Sequence, residues 1–239
     1  MLKLINVIIG IFFLLAACAT GSEQLAIAPG NEVDTSSGQN GSVRFLALGD
    51  SYTIGQSVRE SERWPVLMVD DLRRAGKNVA SAEIIARTGW TTRDLINRLE
   101  GNPPSQKYDI VSLLIGVNNQ YQRRSIEEYE TDFKNLLDKA ASYAHGGKSK
   151  VFVLSIPDWG VTSYASGADR NKIAAEIDQF NKIAKDECSK LGISFIDITP
   201  ISRTVVNDNS LLATDGLHYS GKMHQLWVNA SLSVVKTKL

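Results

Sequence analysis

Val43-Arg44-Phe45-Leu46-Ala47-Leu48-Gly49-Asp50-Ser51-Tyr52-Thr53-Ile54-Gly55 is an apolar run that stops abruptly at a glycine, an acid and a serine. Its branched and aromatic residues read as a buried strand, and Gly49 permits a backbone turn that a side chain would obstruct. Ser51 then sits at the strand's end. Open parallel sheets bind ligands just outside the carboxyl ends of their strands, so a hydroxyl placed there faces a crevice and not a core. Ser51 is therefore a candidate nucleophile, and the cap of a following helix is the other role open to it.

Downstream of this stretch the pattern alternates. Trp64 to Ala75 reads as a helix, with Pro65 suited to a first helical position and Gly76 to a terminator. The strand Ala82–Ala86, a turn at Arg87-Thr88-Gly89-Trp90 and a helix from Thr91 or Thr92 follow. Ile110–Ile115 is a third strand, ended by Gly116-Val117-Asn118-Asn119, and a helix near Ile126 to Tyr143 comes next. Lys150–Ile156 makes a fourth strand, Asp169–Leu191 a long amphipathic helix, Ile193–Ile198 a fifth strand, and Gly221–Lys238 a last helix. Five strands alternating with helices predict an α/β domain with a mainly parallel sheet and right-handed crossovers.

Upstream, Lys3 and the nearly continuous apolar run Leu4–Ala17 form a signal-peptide pattern, at about 14 residues too short for a membrane-crossing helix. Leu15-Ala16-Ala17-Cys18 resembles the lipobox of bacterial lipoproteins, which implies a signal peptide over 1–17 and a lipidated Cys18. An ordinary cleaved signal with an incidental cysteine is the alternative. Ala19, where the enterobacterial sorting pattern would place an inner-membrane aspartate, points to the outer membrane where the envelope has one. Residues 19–42 are dense in Gly, Ser, Asn and Thr, so 18–42 reads as lipidated cysteine plus flexible tether, with a span of about 27 Å as a random coil. The folded domain is then 43–239.

Removing residues 1–17 takes away one charged side chain, Lys3, and leaves 25 basic against 26 acidic groups. That balance recruits neither nucleic acid nor an anionic surface by bulk charge. Of two cysteines, Cys18 is claimed by lipid and Cys188 belongs to a helical apolar stripe, so a core thiol and no internal disulfide are expected. No metal-ligand spacing such as HExxH or paired CxxC occurs, and no metal or cofactor is expected. Nothing in the sequence sets an oligomeric state.

Three strand ends carry unusual residues: Gly49-Asp50-Ser51, Gly89, and Gly116-Val117-Asn118. Parallel strands end on one rim, so these can meet. Near the carboxyl terminus, Asp215-Gly216-Leu217-His218 places an acid and a histidine where they can face each other across a turn, the carboxylate taking the Nδ1 proton and Nε2 staying free as a base. These four blocks, in this order and spacing, resemble those of the SGNH/GDSL hydrolase family over nearly all of residues 43–239. The resemblance implies a three-layer α/β/α sandwich with a mainly parallel five-stranded sheet, flavodoxin-like in topology, and a serine ester hydrolase. It further implies Ser51 as nucleophile, an oxyanion hole from the Ser51 and Gly89 amides and the Asn118 side chain, and Asp215 and His218 as acid and base. Two departures stand out: Tyr52 replaces the leucine that gives the GDSL name, and Asn119 replaces a frequent aspartate, which puts the local loop interactions in question.

Gly89 can simply provide a turn, and Asn118 can make an Asx turn with its own backbone. Of three histidines, His145 lies in a polar loop and His224 within the last helix without an upstream acid, so His218 is the preferred base. Asp50 is expected to be a structural hydrogen-bonding group. Tyr121, Gln122, Arg123 and Arg124, with Asp158, Trp159 and Tyr164, give the rim a polar and aromatic mixture; Tyr121 and Trp159 are candidate substrate contacts, though Trp159 and Tyr164 can equally pack their own loop. The expected substrate is a small or carbohydrate-linked ester in the envelope, with a lysophospholipid or thioester of longer chain as alternative. Rivals of another class are a catalytically silent envelope lipoprotein and a flavodoxin-like module cradling a phosphate on Ser51, Thr53, Gly55 and Ser57.

Overall fold

Phe45–Gly49 forms the first strand, β1, and every residue of it is buried. Burial on both faces accounts for the unbroken apolar run, because a strand covered by helices on each side has no polar face to present. The computed structural model describes residues 41–239; the signal segment 1–17, Cys18 and most of the 18–42 tether lie outside the described residues. Beyond β1 come α1 (Ser51–Ile54), α2 (Trp64–Arg74), β2 (Glu83–Ala86), α3 (Thr92–Gly101) and β3 (Ile110–Leu114). The chain continues through α4 (Val117–Tyr121), α5 (Ile126–Tyr143), β4 (Val151–Leu154), α6 (Arg170–Leu191), β5 (Ser194–Ile196), α7 (Thr199–Ser202) and α8 (Gly221–Lys236).

All strand pairs are parallel, in the order β2-β1-β3-β4-β5. The expected five-stranded α/β fold is therefore present. The chain runs from β1 outward to β2, then returns across β1 to β3 and proceeds to β5. With right-handed crossovers, α2 covers one face and α3, α5 and α6 the other; α2 packs on α8, and α5 lies between α3 and α6. The direction of winding reverses between β1 and β3, the place at the strands' carboxyl ends where open parallel sheets bind their ligands.

Two strands are shorter than the apolar runs suggest. Ile156 lies past β4, where the Asn181 side chain on α6 accepts from its N–H at 2.7 Å and donates to its carbonyl at 2.9 Å. The N–H groups of Ile198 and Thr199 are taken by Ser155 Oγ, which ends β5. Side chains here satisfy backbone groups that a longer ladder would have used. Cys188 is buried on α6 and its thiol is pushed up to about 12 by burial, the inert core position expected for it. Among the described residues no helix is long and apolar enough to cross a membrane.

On α8, His224 is buried, its Nδ1 lies 3.0 Å from the Glu62 carbonyl oxygen, and its ring packs on Trp227 with centroids 4.8 Å apart. Burial, only partly offset by the bond to Glu62, lowers its pKa from 6.5 to about 4. The folded state therefore holds this imidazole neutral at pH values where the unfolded chain protonates it. The associated stability is complete above the unfolded value and is lost as pH falls toward the folded one. His224→Gln keeps a donor for Glu62 and cannot be charged. Urea denaturation should show the variant losing less stability than the parent between about pH 6.5 and pH 4.5, by about 2 kcal/mol. Equal pH slopes would contradict this.

Candidate active site

At the end of β1 there is no room for a side chain: a Cβ on Gly49 would lie 2.2 Å from Thr53 Oγ1 and 2.4 Å from the Leu114 carbonyl oxygen. The close approach lets the chain turn directly from β1 into α1 beside the end of β3. Asp50 caps that helix, its Oδ1 accepting from Tyr52 N–H at 3.0 Å. Capping, the alternative role for Ser51, thus falls to Asp50. Ser51 heads α1, is 5% exposed, and its Oγ has no hydrogen-bond partner among the described residues.

The Asp215–His218 segment is held by a short bridge, with Leu212 pairing antiparallel to Tyr219 and Ala213 N–H donating to the His218 carbonyl at 2.8 Å. Gly216, at φ +69, makes the turn. Asp215 Oδ1 accepts from the backbone N–H of Leu217 (3.0 Å) and His218 (2.9 Å). Asp215 Oδ2 lies 2.7 Å from His218 Nδ1 and accepts from Ser57 Oγ at 2.6 Å. Partial burial raises the proton affinity of Asp215, but these four donors outweigh it and hold the carboxyl well below its usual range. The imidazole is thereby fixed with Nδ1 toward an ionised acid. His218 is nearly buried, edge-on to the Tyr52 ring at 5.7 Å, and Tyr52 is itself buried against Tyr219 and Trp227. The tyrosine at the position of the usual leucine thus backs the imidazole. Next to His218, the Tyr219 hydroxyl donates to the Asp158 carbonyl at 2.6 Å, which ties this segment to the loop after β4.

Asp50, adjacent to Ser51, is shifted in the opposite direction. Burial raises its pKa from 3.8 to about 7 against the pull of the Tyr52 and Gly116 N–H groups, and its Oδ2 has no partner. It forms no bond to a histidine among the described residues. His145, the remaining imidazole, lies by Arg44 with Nε2 2.9 Å from the guanidinium, away from this rim.

Gly89 has φ +84 and its carbonyl accepts from Gln122 Nε2 at 3.3 Å. Asn118, on α4, donates one Nδ2 hydrogen to the Trp90 carbonyl at 2.9 Å, in place of an Asx turn with its own backbone. An amide nitrogen has two hydrogens, so the second is free for a ligand. Asn119 answers the question raised by its identity. Fully buried, it accepts from Thr92 N–H at 3.0 Å and donates to Thr92 Oγ1 at 2.8 Å, while Thr92 Oγ1 donates to buried Asp132 at 3.2 Å. Since Asp132, paired with Arg93, already takes the threonine hydrogen, position 119 needs a donor as well as an acceptor.

Above this rim Tyr121 and Tyr164 are half-exposed, at 49% and 50%, and their hydroxyls meet at 2.9 Å. Trp159 lies beneath them, 9% exposed, its ring 5.3 Å from Tyr121 and its Nε1 donating to Gln120 Oε1 at 2.8 Å. Of its two possible roles, packing the loop is the one this placement serves; Tyr121 keeps an accessible face. The Tyr164 N–H donates to the Gly216 carbonyl at 2.9 Å, joining the aromatic cluster to the turn between Asp215 and His218. Beyond it opens a cleft of about 910 Å³, lined among others by Tyr121, Arg123, Arg124, Trp159, Lys172 and Glu176. The hydroxyl-rich loop does not make a phosphate cradle, because Thr53 is fully buried and Ser57 is bonded to Asp215. Among the described residues no cluster of three His, Cys, Asp or Glu could hold a metal ion.

Ser57 and Tyr219 are the site residues whose contacts sequence reasoning missed. Their partners are distant in the chain, so no local pattern marks the pairing.

Comparison with known proteins bears on the family and the fold. The model of the GDSL-like lipase/acylhydrolase family matches residues 47–226. An acetylxylan esterase of Geobacillus stearothermophilus is 24% identical over 157 residues, 61% of this chain and 67% of that protein. The structure of a lipase/acylhydrolase from Enterococcus faecalis superposes with a TM-score of 0.67 at 20% identity, covering 82% of this chain and 97% of that one. That of an acetylxylan esterase from Geobacillus stearothermophilus gives 0.63 at 20% identity, covering 82% and 95%.

The Asn119 arrangement makes a direct prediction. Asn119→Asp sets two buried carboxyl groups on one threonine hydroxyl, and denaturant unfolding should show a loss of about 2–3 kcal/mol. Parental stability would contradict the donor role of Asn119.

Proposed function

The chain belongs to the GDSL-like lipase/acylhydrolase family and is a carboxylic ester hydrolase, and from that premise we propose that Ser51, His218 and Asp215 carry the reaction through an acyl-enzyme on a small or carbohydrate-linked ester. The observation that carries this reading is the imidazole held by an ionised acid, Nδ1 to Asp215 Oδ2 at 2.7 Å, on the rim where Ser51 keeps its hydroxyl uncommitted. His218 Nε2 takes the Ser51 proton as Oγ attacks the ester carbonyl. Asp215 fixes the tautomer and stabilises the imidazolium. The Ser51 and Gly89 N–H groups and the second Asn118 Nδ2 hydrogen receive the oxyanion. His218 then protonates the departing alcohol. Water, deprotonated by the same nitrogen, attacks the acyl-enzyme, releases the carboxylic acid and restores Ser51.

The leaning toward carbohydrate esters is supported by the exposed faces of Tyr121 and Tyr164, by the charged lining of the neighbouring cleft, and by the acetylxylan esterase relative. Trp159 is the support on which Tyr121 rests. The same proposal includes the envelope address: residues 1–17 are removed, Cys18 is lipidated, and the 18–42 tether joins a membrane anchor to the domain.

A panel of acetylated sugars, simple esters of increasing acyl length and lysophospholipid tests the substrate class. The highest kcat/KM should fall on acetyl or other short acyl groups, and a maximum on long-chain esters would overturn it. Ser51→Ala should lose at least about 10³-fold in kcat and His218→Ala at least about 10²-fold, while His145→Ala stays within twofold of the parent. Activity of Ser51→Ala within tenfold of the parent would remove the nucleophile assignment. Labelling cells with a radioactive fatty acid should mark the full chain and not Cys18→Ser; equal labelling would remove the lipid anchor.

A further inference from the structure

The loop after α1 contains two residues in the left-handed region, Gly55 at φ +70 and Ser57 at φ +65. Glycine adopts such a backbone freely, whereas serine does so only under strain. A non-glycine residue held there calls for a contact that its side chain makes and glycine could not. Ser57 Oγ makes one, donating to Asp215 Oδ2 at 2.6 Å across most of the domain's sequence. Beside it, Gln56 Oε1 accepts from Thr88 Oγ1 at 2.6 Å, so the same short loop also holds the residue preceding Gly89.

Asp215 needs this second donor. Its Oδ1 is fixed by two backbone N–H groups, but Oδ2, the atom that faces His218 Nδ1, has only the imidazole and the Ser57 hydroxyl. A carboxylate with one oxygen anchored can still swing the other out of line with a ring nitrogen. A second bond at Oδ2 removes that freedom and sets its direction.

We propose that Ser57 is a positioning residue for ester hydrolysis: its hydroxyl locks Asp215 Oδ2 toward His218 Nδ1 and straps that carboxylate to the loop that follows α1, the helix headed by Ser51. The proposal rests on the roles given above to Ser51, His218 and Asp215. Acid, base and nucleophile then belong to one braced unit, although Asp215 and Ser51 lie near opposite ends of the domain's sequence.

The test separates the hydroxyl from the turn. Ser57→Gly removes the bond and relieves the left-handed backbone, so its thermal midpoint should equal or exceed the parent's. On the panel ester that the parent turns over fastest, kcat should fall about tenfold with KM within twofold, because the bond acts on the reacting imidazole and not on substrate binding. Ser57→Ala should lose the same in kcat. In an Asp215→Ala background, adding Ser57→Gly should change kcat less than twofold, since its acceptor is gone. Parental kcat in Ser57→Gly, a loss confined to KM, or the full tenfold loss persisting beside Asp215→Ala would each overturn the proposal. Parental kcat in Asp215→Ala alone would overturn both this and the acid role of Asp215, whereas parental Ser57→Gly beside a disabled Asp215→Ala overturns the Ser57 role only.

Discussion

Position 49 has no space for a side chain, and the architecture of the site depends on that exclusion. Thr53 Oγ1 and the Leu114 carbonyl both lie closer to a hypothetical Cβ there than any atom can approach. Because Gly49 lets β1 press against the end of β3, the chain can cap α1 with Asp50 and present Ser51 directly over the point where the sheet reverses its winding. Gly116 has a related constraint at the end of β3, where a Cβ would lie 2.6 Å from the Tyr129 ring. Two backbone approaches, both impossible for other residues without displacement, thus bring the Ser51 and Asn118 elements to the same rim of the sheet.

On that frame, two aspartates near one serine are driven apart by their surroundings. Asp50 is sealed in the core with one oxygen unpartnered, and burial pushes it up to about 7. Asp215 sits at the rim under four donors, which hold it ionised. Two carboxyl groups with opposed environments can divide structural and chemical work, and here the nearer acid in sequence serves the backbone while the distant one faces the imidazole. The Asn119–Thr92–Asp132 network shows the same economy of protons: one hydroxyl hydrogen serves one carboxylate, and the neighbouring position carries an amide.

Much of this was legible in the chain because the signals are local. Apolar runs ending at Gly49 and Gly116 mark strands at the centre of a parallel sheet, the spacing of Ile173, Ile177, Phe180 and Cys188 marks the face of α6, and the proximity of Asp215 to His218 announces a pair across a turn. Strand ends were overextended at Ile156 and Ile198, where Asn181 and Ser155 intercept the backbone groups of the ladder. The burial of Trp159 beneath Tyr121 and the bond from Ser57 to Asp215 were not legible, since each depends on how distant segments meet in three dimensions. Ser57 appeared only as one hydroxyl among several in a loop, and its left-handed backbone has no signature in residue type.

The claim on which the rest stands is that Ser51 is the atom that takes the acyl group. Its most direct measurement is stoichiometric reaction with a fluorophosphonate, followed by intact mass and peptide mapping. One adduct per chain, on Ser51, appearing in step with the loss of esterase activity and absent from Ser51→Ala, is the predicted result. Inactivation with the adduct on any other residue, or with Ser51 unmodified, would contradict it.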